Sequence, residues 1–162
     1  MAIFGAGSFW DNREEQKDKF FKENKFIMGW DENSAENLYA IIASLKVGDI
    51  IYLKSNQPGS HTIRVKGIGI VIKNVLQCMK EYGYMKDYRV YVKVKWVNKN
   101  EFPIEIKDND GKLTNVRAAS FYEEFLPSVQ KEIVKRRHCK CRRTLMQFNN
   151  RQGYCRLICF CG

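Results

Sequence analysis

The sequence predicts an α+β fold in which a small, strongly curved β-sheet is flanked by helices. Its elements run in the order strand, two helices, a series of strands and a helix, without the interleaved helices of a doubly wound parallel sheet. The strand predicted over 61–75 carries Gly67 and Gly69 at its centre, and glycine inside a strand permits sharp bending. We expect one domain over 1–134 and a basic, cysteine-rich tail over 135–162.

The first element is a short strand in the segment AIFG, and two helices follow it. Asp11 or Asn12 is expected to cap the first helix, which ends near Asn24. Asn33 or Ser34 is expected to cap the second helix. One face of that helix is apolar at helical spacing and should pack on a core; it carries Leu38, Ile41, Ile42 and Leu45.

The middle of the chain is read as a series of strands. They are predicted over 50–54, 61–75, 86–98 and 101–106. In the third, apolar residues including Trp96 alternate with polar ones, so Trp96 is expected in the core. The opposite face carries Arg89, Tyr91, Lys93 and Lys95. A short helix is predicted over 118–125 and a longer one over 128–137.

The positive charge is concentrated at the end of the chain. The net charge is +10, and segment 135–162 holds eight of the 28 Lys and Arg residues but none of the 18 acids. A basic tail is typical of a polyanion partner, nucleic acid first and an anionic membrane second. A tail that serves only to keep the protein solvated has the same composition.

The tail also contains five of the six cysteines. Clustered thiols indicate zinc before disulfides in a cytosolic protein, and the candidate ligands are Cys139, Cys141, Cys155 and Cys159. The Cys-x-Cys spacing is unusual, because zinc knuckles favour Cys-x-x-Cys. The alternative is a final apolar strand, YCRLICFC, in which the cysteines pack as small hydrophobes.

Several classes of protein are disfavoured by the sequence. The chain lacks the run of about 18 apolar residues that a membrane span needs, so no transmembrane helix is expected. Of the two polyanions, nucleic acid is the expected partner and a membrane is not. Its first residues do not resemble a signal peptide, and we expect a cytoplasmic protein. It has neither a nucleotide-binding loop nor a nucleophile motif, and only two histidines, so no enzyme is predicted.

Four stretches resemble the PUA-like superfamily, and within it the EVE-type and YTH-like reader domains. They are IFGAGSFW, LKVGDIIYLKS, IRVKGIGIVI and YRVYVKVKWV. The first hundred residues are similar to N-terminal modules found ahead of AAA+ ATPases in modification-dependent restriction systems. The resemblance covers 1–97, and loosely extends to Phe125. It implies a small PUA-like barrel that binds nucleic acid, with a modified or flipped base in an aromatic pocket.

Such a pocket needs flat apolar faces for stacking and polar groups for the edge of the base. Trp10 and Trp30 lie in polar loops and are the candidate stacking residues. Ser55 and Asn56 are the candidates for reading the base edge. They follow the strand predicted over 50–54, and in the resembling families the end of that strand borders the ligand cleft. Alternatively, the tryptophans plug the end of the barrel and Asn56 is a solvated turn residue.

Cationic side chains are needed for the flanking phosphates. The candidates are Lys54, Arg89, Lys93 and Lys95. A solvated outer sheet face would give the same pattern. We therefore expect a non-catalytic module that reads a modified or flipped base in DNA and acts with a partner ATPase or nuclease in restriction. The alternatives are an RNA-binding PUA-like protein and an interaction module that docks through its basic tail.

Overall fold

The computed structural model describes residues 1–10, 14–55, 60–82, 90–107 and 120–137. The strands within these ranges are β1 (Ile3–Gly7), β2 (Phe9–Trp10), β3 (Glu14–Glu15), β4 (Lys25–Ile27), β5 (Ile50–Ser55), β6 (Thr62–Lys73), β7 (Tyr91–Asn98), β8 (Phe102–Glu105) and β9 (Phe121–Glu123). The helices are α1 (Lys17–Glu23), α2 (Glu36–Ser44), α3 (Val75–Tyr82) and α4 (Pro127–Arg137). The cysteine-rich segment 138–162 lies outside the described residues.

One mixed sheet organises the chain. Its strand order is β4-β7-β6-β5-β1-β9, with β8 also paired to β6. The β1–β5 pair is parallel and the neighbouring pairs are antiparallel. Phe26 on β4 and Phe121 on β9 stack with ring centroids 5.2 Å apart, although these strands end the sheet on opposite sides. The sheet is therefore curled into a half-barrel, which confirms the predicted α+β class with a small curved sheet and flanking helices.

The glycines of β6 lie where this long strand changes partner. Its first part, from Thr62, pairs with β8, and its last part, from Ile68, pairs with β7. A Cβ on Gly67 would lie 2.6 Å from Cζ of Phe21, and one on Gly69 would overlap Cγ1 of Val94. Because Gly67 and Gly69 lack a Cβ, side chains of α1 and β7 pack directly against β6. Their role is structural, and the pairing of β6 with β7 shifts its register between Ile68 and Gly69.

Both faces of the sheet are covered. Inside the curl, Phe20 of α1 and Ile42 of α2 pack on the strands around Phe26. On the outer face, Val129 and Ile133 of α4 join a second buried cluster. Pro127 is the first residue of α4, a position where its missing N–H costs nothing. Because buried clusters cover both faces of the sheet, an open cavity can form only at an end of the half-barrel.

Both early helices begin later than predicted. Glu14 and Glu15 form β3 against β2, so the first helix begins at Lys17 behind Gln16, and its predicted start is wrong. Its end is confirmed, because Asn24 takes a left-handed conformation at φ 52°.

The cap of the second helix is also misplaced by the prediction. Asn33 and Ser34 belong to a 3₁₀ turn, and Ala35 is the N-cap residue of α2. Asp31 caps the turn instead, because its carboxylate accepts a hydrogen bond from the backbone N–H of Asn33. The turn lies between β4 and α2.

Two further elements differ from the prediction. The strand predicted over 61–75 ends at Lys73, and α3 follows it. Asn74 and Gln77 bond reciprocally through side chain and backbone at 2.9 and 3.0 Å, a capping box at the start of that helix. The helix predicted over 118–125 is wrong, because its described part contains β9, whose residues pair antiparallel with β1. None of the helices in the described ranges has the length and apolar character of a membrane span.

Candidate functional site

A cavity of about 370 Å³ opens at the end of the half-barrel, where β1 stops. Its walls come from the end of β1, from β2, from β4 and the segment that follows it, and from the residue that precedes β9. The lining residues are Gly7, Phe9, Trp10, Phe26, Ile27, Met28, Gly29, Trp30, Asp31, Ser34 and Ser120. The cavity thus combines aromatic rings with a carboxylate and two hydroxyl groups.

Trp10 forms a half-buried wall of this cavity. Its ring meets Phe20 of the core edge-on, with centroids 6.3 Å apart and an interplanar angle of 61°. The indole also lies against the backbone of Gly29, where any Cβ would overlap its Cδ1 and Nε1 atoms. Absence of a side chain at Gly29 is therefore what lets the indole sit in this position. The ammonium of Lys19 lies 5.4 Å from the ring centroid, within the range of a cation–π contact.

Trp30 lies across the same cavity with 52% of its surface exposed. Its backbone carbonyl accepts a hydrogen bond from the Tyr39 hydroxyl of α2 at 2.9 Å. The neighbouring Asp31 is held by the 3₁₀ turn that it caps. The backbone on which Trp30 stands is thus fixed while its side chain faces solvent and cavity. The structure brings together two tryptophans that lie on separate segments of the chain.

Phe9 also lines the cavity and is 50% exposed. The ammonium of Lys66 lies 4.1 Å from its ring centroid. Lys66 is itself buried; it donates to the Ser8 hydroxyl at 3.3 Å and pairs with Glu15. A buried ammonium is tolerated only when its charge is compensated in this way.

The other two predicted base-reading residues are Ser55 and Asn56. Ser55 is half-buried at the end of β5, where it pairs with Arg64 of β6, and it does not line the cavity. Asn56 lies outside the described residues. Within the described part of the chain, the acidic and hydroxyl residues that do line the cavity are Asp31, Ser34 and Ser120.

The predicted phosphate-binding residues occupy different environments. Lys54 is only 4% exposed, and its ammonium lies 5.2 Å from the ring centroid of Tyr122. It is therefore placed on the covered outer face of the sheet and away from the lining of the cavity. Arg89 lies outside the described residues.

On β7, the predicted alternation is present: Val92, Val94 and Trp96 are buried and the intervening residues are not. Lys93 pairs with Glu81 of α3 at 3.2 Å, and Lys73 pairs with the same carboxylate. Hydrogen bonds from these two lysines hold the pKa of Glu81 below its ordinary value. Lys95 is exposed on the same face.

A buried polar network lies on the outer face, beneath β1. The Tyr52 and Tyr122 hydroxyls are 2.6 Å apart, and Tyr52 donates to the Glu124 carboxylate at 2.8 Å. Burial raises the pKa of Tyr52 well above its ordinary value, and Tyr122 and Glu124 add to the effect. A Cβ on Gly5 would lie 2.7 Å from Cζ of Tyr122. The network is closed off from the cavity lining and satisfies its own polar groups, so we assign it a structural role.

Sequence reasoning missed most of the cavity lining. Phe9 could have been found, since it precedes Trp10 in the same polar stretch. Gly29 could have been found as well, because a glycine before an exposed tryptophan permits close approach of a ring. The sequence around Ser120 gave no local signal, because the pairing of β9 with β1 brings this residue to Gly7. The Gly7 N–H donates a hydrogen bond to the Ser120 carbonyl at 2.6 Å.

The described residues show no cluster of three or more His, Cys, Asp or Glu side chains placed to hold a metal ion. The predicted zinc ligands Cys139, Cys141, Cys155 and Cys159 all lie outside them. The zinc prediction therefore stays a prediction.

Comparison with known proteins gives a structural likeness to a solved structure. No protein-family model matches the chain, and no curated protein matches it. Among solved structures it is similar to protein Atu2648 from Agrobacterium tumefaciens, with 15% sequence identity and a TM-score of 0.47. That match covers 85% of this chain and 94% of the other. At this identity no residue role is transferred from one chain to the other.

Proposed function

We propose that this chain is a PUA-like reader module of the EVE or YTH type that accepts a flipped, modified base of DNA in the aromatic cavity. The observation that carries the proposal is the convergence of Trp10 and Trp30 on one cavity of about 370 Å³. The module binds without catalysis of its own.

The cavity has the chemistry that an extruded base requires. Bases stack on aromatic side chains, and each such contact is worth about 1–3 kcal/mol. Trp10 and Trp30 offer two such surfaces. The carboxylate of Asp31 accepts hydrogen bonds, and the hydroxyls of Ser34 and Ser120 both donate and accept. Together these groups suit a planar ligand with an exocyclic amine and a ring nitrogen on its edge.

Binding of the flanking phosphates is assigned to exposed lysines and to the tail. Lys19 stands beside Trp10, and Lys95 is exposed on β7. Segment 135–162 contributes eight basic residues without an acid. Such charges attract nucleic acid of any sequence, so affinity should fall with salt while base preference should depend on the cavity. A partner ATPase or nuclease would supply the chemistry of restriction.

A binding titration tests this proposal. Purified protein is titrated with duplexes that carry unmodified, N6-methyladenine, 5-methylcytosine or 5-hydroxymethylcytosine sites, and with matched RNA, at two salt concentrations. Preference for one modified duplex is expected, and Trp30→Ala should abolish it. Phe125→Ala is the matched control, because Phe125 is 70% exposed and does not line the cavity.

Three other outcomes would redirect the proposal. Preference for the RNA would make the chain an RNA-binding member of the same fold. Equal, steeply salt-dependent binding to every ligand, unchanged by Trp30→Ala, would leave the basic tail as the binding element. Lack of binding at both salt concentrations would favour an interaction module that docks on an acidic protein.

A further inference from the structure

Phe9 differs from the two tryptophans of the cavity in how it is supported. It lies in β2 and lines the cavity, with half of its surface exposed. One face of the ring is covered by the Lys66 ammonium at 4.1 Å. Half of the Phe9 surface therefore stays in water after folding, and burying it against a ligand would be favourable. Unlike the more exposed Phe125, Phe9 also lines the cavity.

The support beneath Phe9 is rigid. Lys66 belongs to β6, the strand that runs through the centre of the sheet, and its ammonium is fixed by Ser8 and Glu15. Glu15 is also the residue that faces Phe9 across the β2–β3 pair. The Phe9 ring, the Lys66 ammonium and the Glu15 carboxylate thus hold one another in position. A side chain that is already ordered loses little entropy when it enters a ligand.

We propose that Phe9 is a wedge that enters the base stack of a duplex at the position vacated by the base in the cavity. The inference rests on the proposed function and deepens it, because it makes the ligand a double-stranded nucleic acid from which a base is extruded. Extrusion costs a few kcal/mol in lost pairing and stacking. Proteins that distort duplexes insert apolar side chains such as Phe, Leu, Ile or Met between base steps. Phe9 would offset part of the cost by filling the gap.

A comparison of strandedness tests the wedge. The ligands are one modified duplex and the matching single strand, in which the base needs no extrusion. Phe9→Ala should weaken duplex binding about tenfold, the equivalent of about 1.4 kcal/mol, and single-strand binding by less than about twofold. Phe9→Leu should keep most of the duplex affinity, because a wedge needs apolar volume whereas a stacking wall needs a flat ring. Trp30→Ala should weaken both ligands alike.

A mismatch opposite the modified base gives an independent check. It lowers the cost of extrusion, so the loss caused by Phe9→Ala should shrink on the mismatched duplex. Phe125→Ala again serves as the exposed-aromatic control and should leave every ligand unchanged. Thermal unfolding of each variant establishes that it is folded, and Phe9→Leu keeps Lys66 covered should Phe9→Ala disturb the strand pair.

The possible failures are distinguishable. Equal weakening of duplex and single strand by both Phe9 variants would make Phe9 a stacking wall and overturn the wedge. Unchanged binding in both variants would overturn it as well. A wild-type protein that prefers the single strand would exclude the wedge and leave the base-reading cavity intact. A wild-type protein that binds neither ligand would overturn the proposed function and the wedge with it.

Discussion

The protein uses the same local device in two regions, a glycine packed against an aromatic side chain, with different consequences. Gly5 of β1 faces Tyr52 and Tyr122, whose hydroxyls are buried and bonded to each other and to Glu124. Gly29 faces Trp10, whose ring lines a cavity. In the first region the aromatic groups are sealed and satisfied, and in the second they face open space. The difference separates a structural network from a candidate binding site.

The largest expected effect comes from Gly5→Ala. The new Cβ would lie 2.7–2.8 Å from atoms of two tyrosines that are buried under α4 and hydrogen-bonded. Overpacking of this kind costs about 1–3 kcal/mol, and we expect a loss of unfolding free energy in that range. Urea unfolding measures it. Gly7→Ala on the same strand is the control, because its nearest neighbour would lie at 3.4 Å, and equal losses in the two variants would contradict this account.

Gly29→Ala should show the opposite pattern. Trp10 is half-buried, so a Cβ at Gly29 can displace the indole toward solvent, and stability should fall less than in Gly5→Ala. Affinity for the preferred modified duplex should fall about tenfold, since one stacking surface is worth about 1–3 kcal/mol. A titration alongside Gly7→Ala isolates the effect, because Gly7 also lines the cavity but has room for a methyl group. Full affinity in Gly29→Ala would show that the position of Trp10 does not matter.

Tyr52→Phe probes the sealed region through pH. The pKa of Tyr52 is raised in the folded state, so its contribution to stability is complete below the ordinary value of 10.0. Above that pH the unfolded chain loses the proton while the folded chain keeps it, and stability falls by up to about 1.4 kcal/mol per pH unit.

In Tyr52→Phe the alkaline decline should be shallower than in the wild type. At neutral pH the variant should be less stable by about 1–3 kcal/mol, because the Glu124 carboxylate loses a buried donor. Urea unfolding between pH 8 and about 11 gives both quantities. Parallel pH profiles for the two proteins would show that Tyr52 is not the group responsible. Base binding at neutral pH should be unchanged, since Tyr52 does not line the cavity.

The smallest effect is expected from Lys95→Gln. An exposed lysine that contacts one phosphate contributes about one unit to the slope of log affinity against log salt. The variant should therefore lower affinity a few-fold for modified and unmodified duplexes alike, and reduce the slope. Lys46→Gln, in the loop before β5, is the exposed control. A loss limited to the modified duplex would place Lys95 in base recognition instead of phosphate binding.

Much of the fold was readable from local pattern. Alternation identified β7, and Trp96 is buried as predicted, with its indole N–H donating to the Phe20 carbonyl at 2.9 Å. Helix α3 was missed because its sequence continues the apolar run of β6. The Asn74–Gln77 capping box was the available signal. The helix predicted over 118–125 failed for a different reason, since pairing with β1 overrides a local helical preference there.

The candidate site was predictable only in part. Trp10 and Trp30 stood out as aromatic residues in segments predicted as polar loops, and both line the cavity. The loop prediction is wrong for Trp10, which lies in β2 and pairs with Glu14 of β3. Ser120 depends on the β1–β9 pairing, which joins segments far apart in the sequence and leaves no local trace. The burial of Lys54 was equally hidden, because a lysine at a strand end is ordinarily solvated and here the outer face is covered. Long-range pairing, more than local propensity, determines which side chains meet.

The central claim, that the cavity receives a base, can be tested by NMR on the three indole N–H groups. The chain has three tryptophans; Trp10 and Trp30 line the cavity, and Trp96 is buried with its N–H bonded to Phe20. Uniformly ¹⁵N-labelled protein is titrated with the modified duplex, and the indole signals are assigned with single Trp→Phe variants. We predict that the Trp10 and Trp30 signals shift in saturable fashion and that the Trp96 signal stays in place. Binding that leaves the Trp10 and Trp30 signals unmoved would contradict the account and place the nucleic acid elsewhere on the protein.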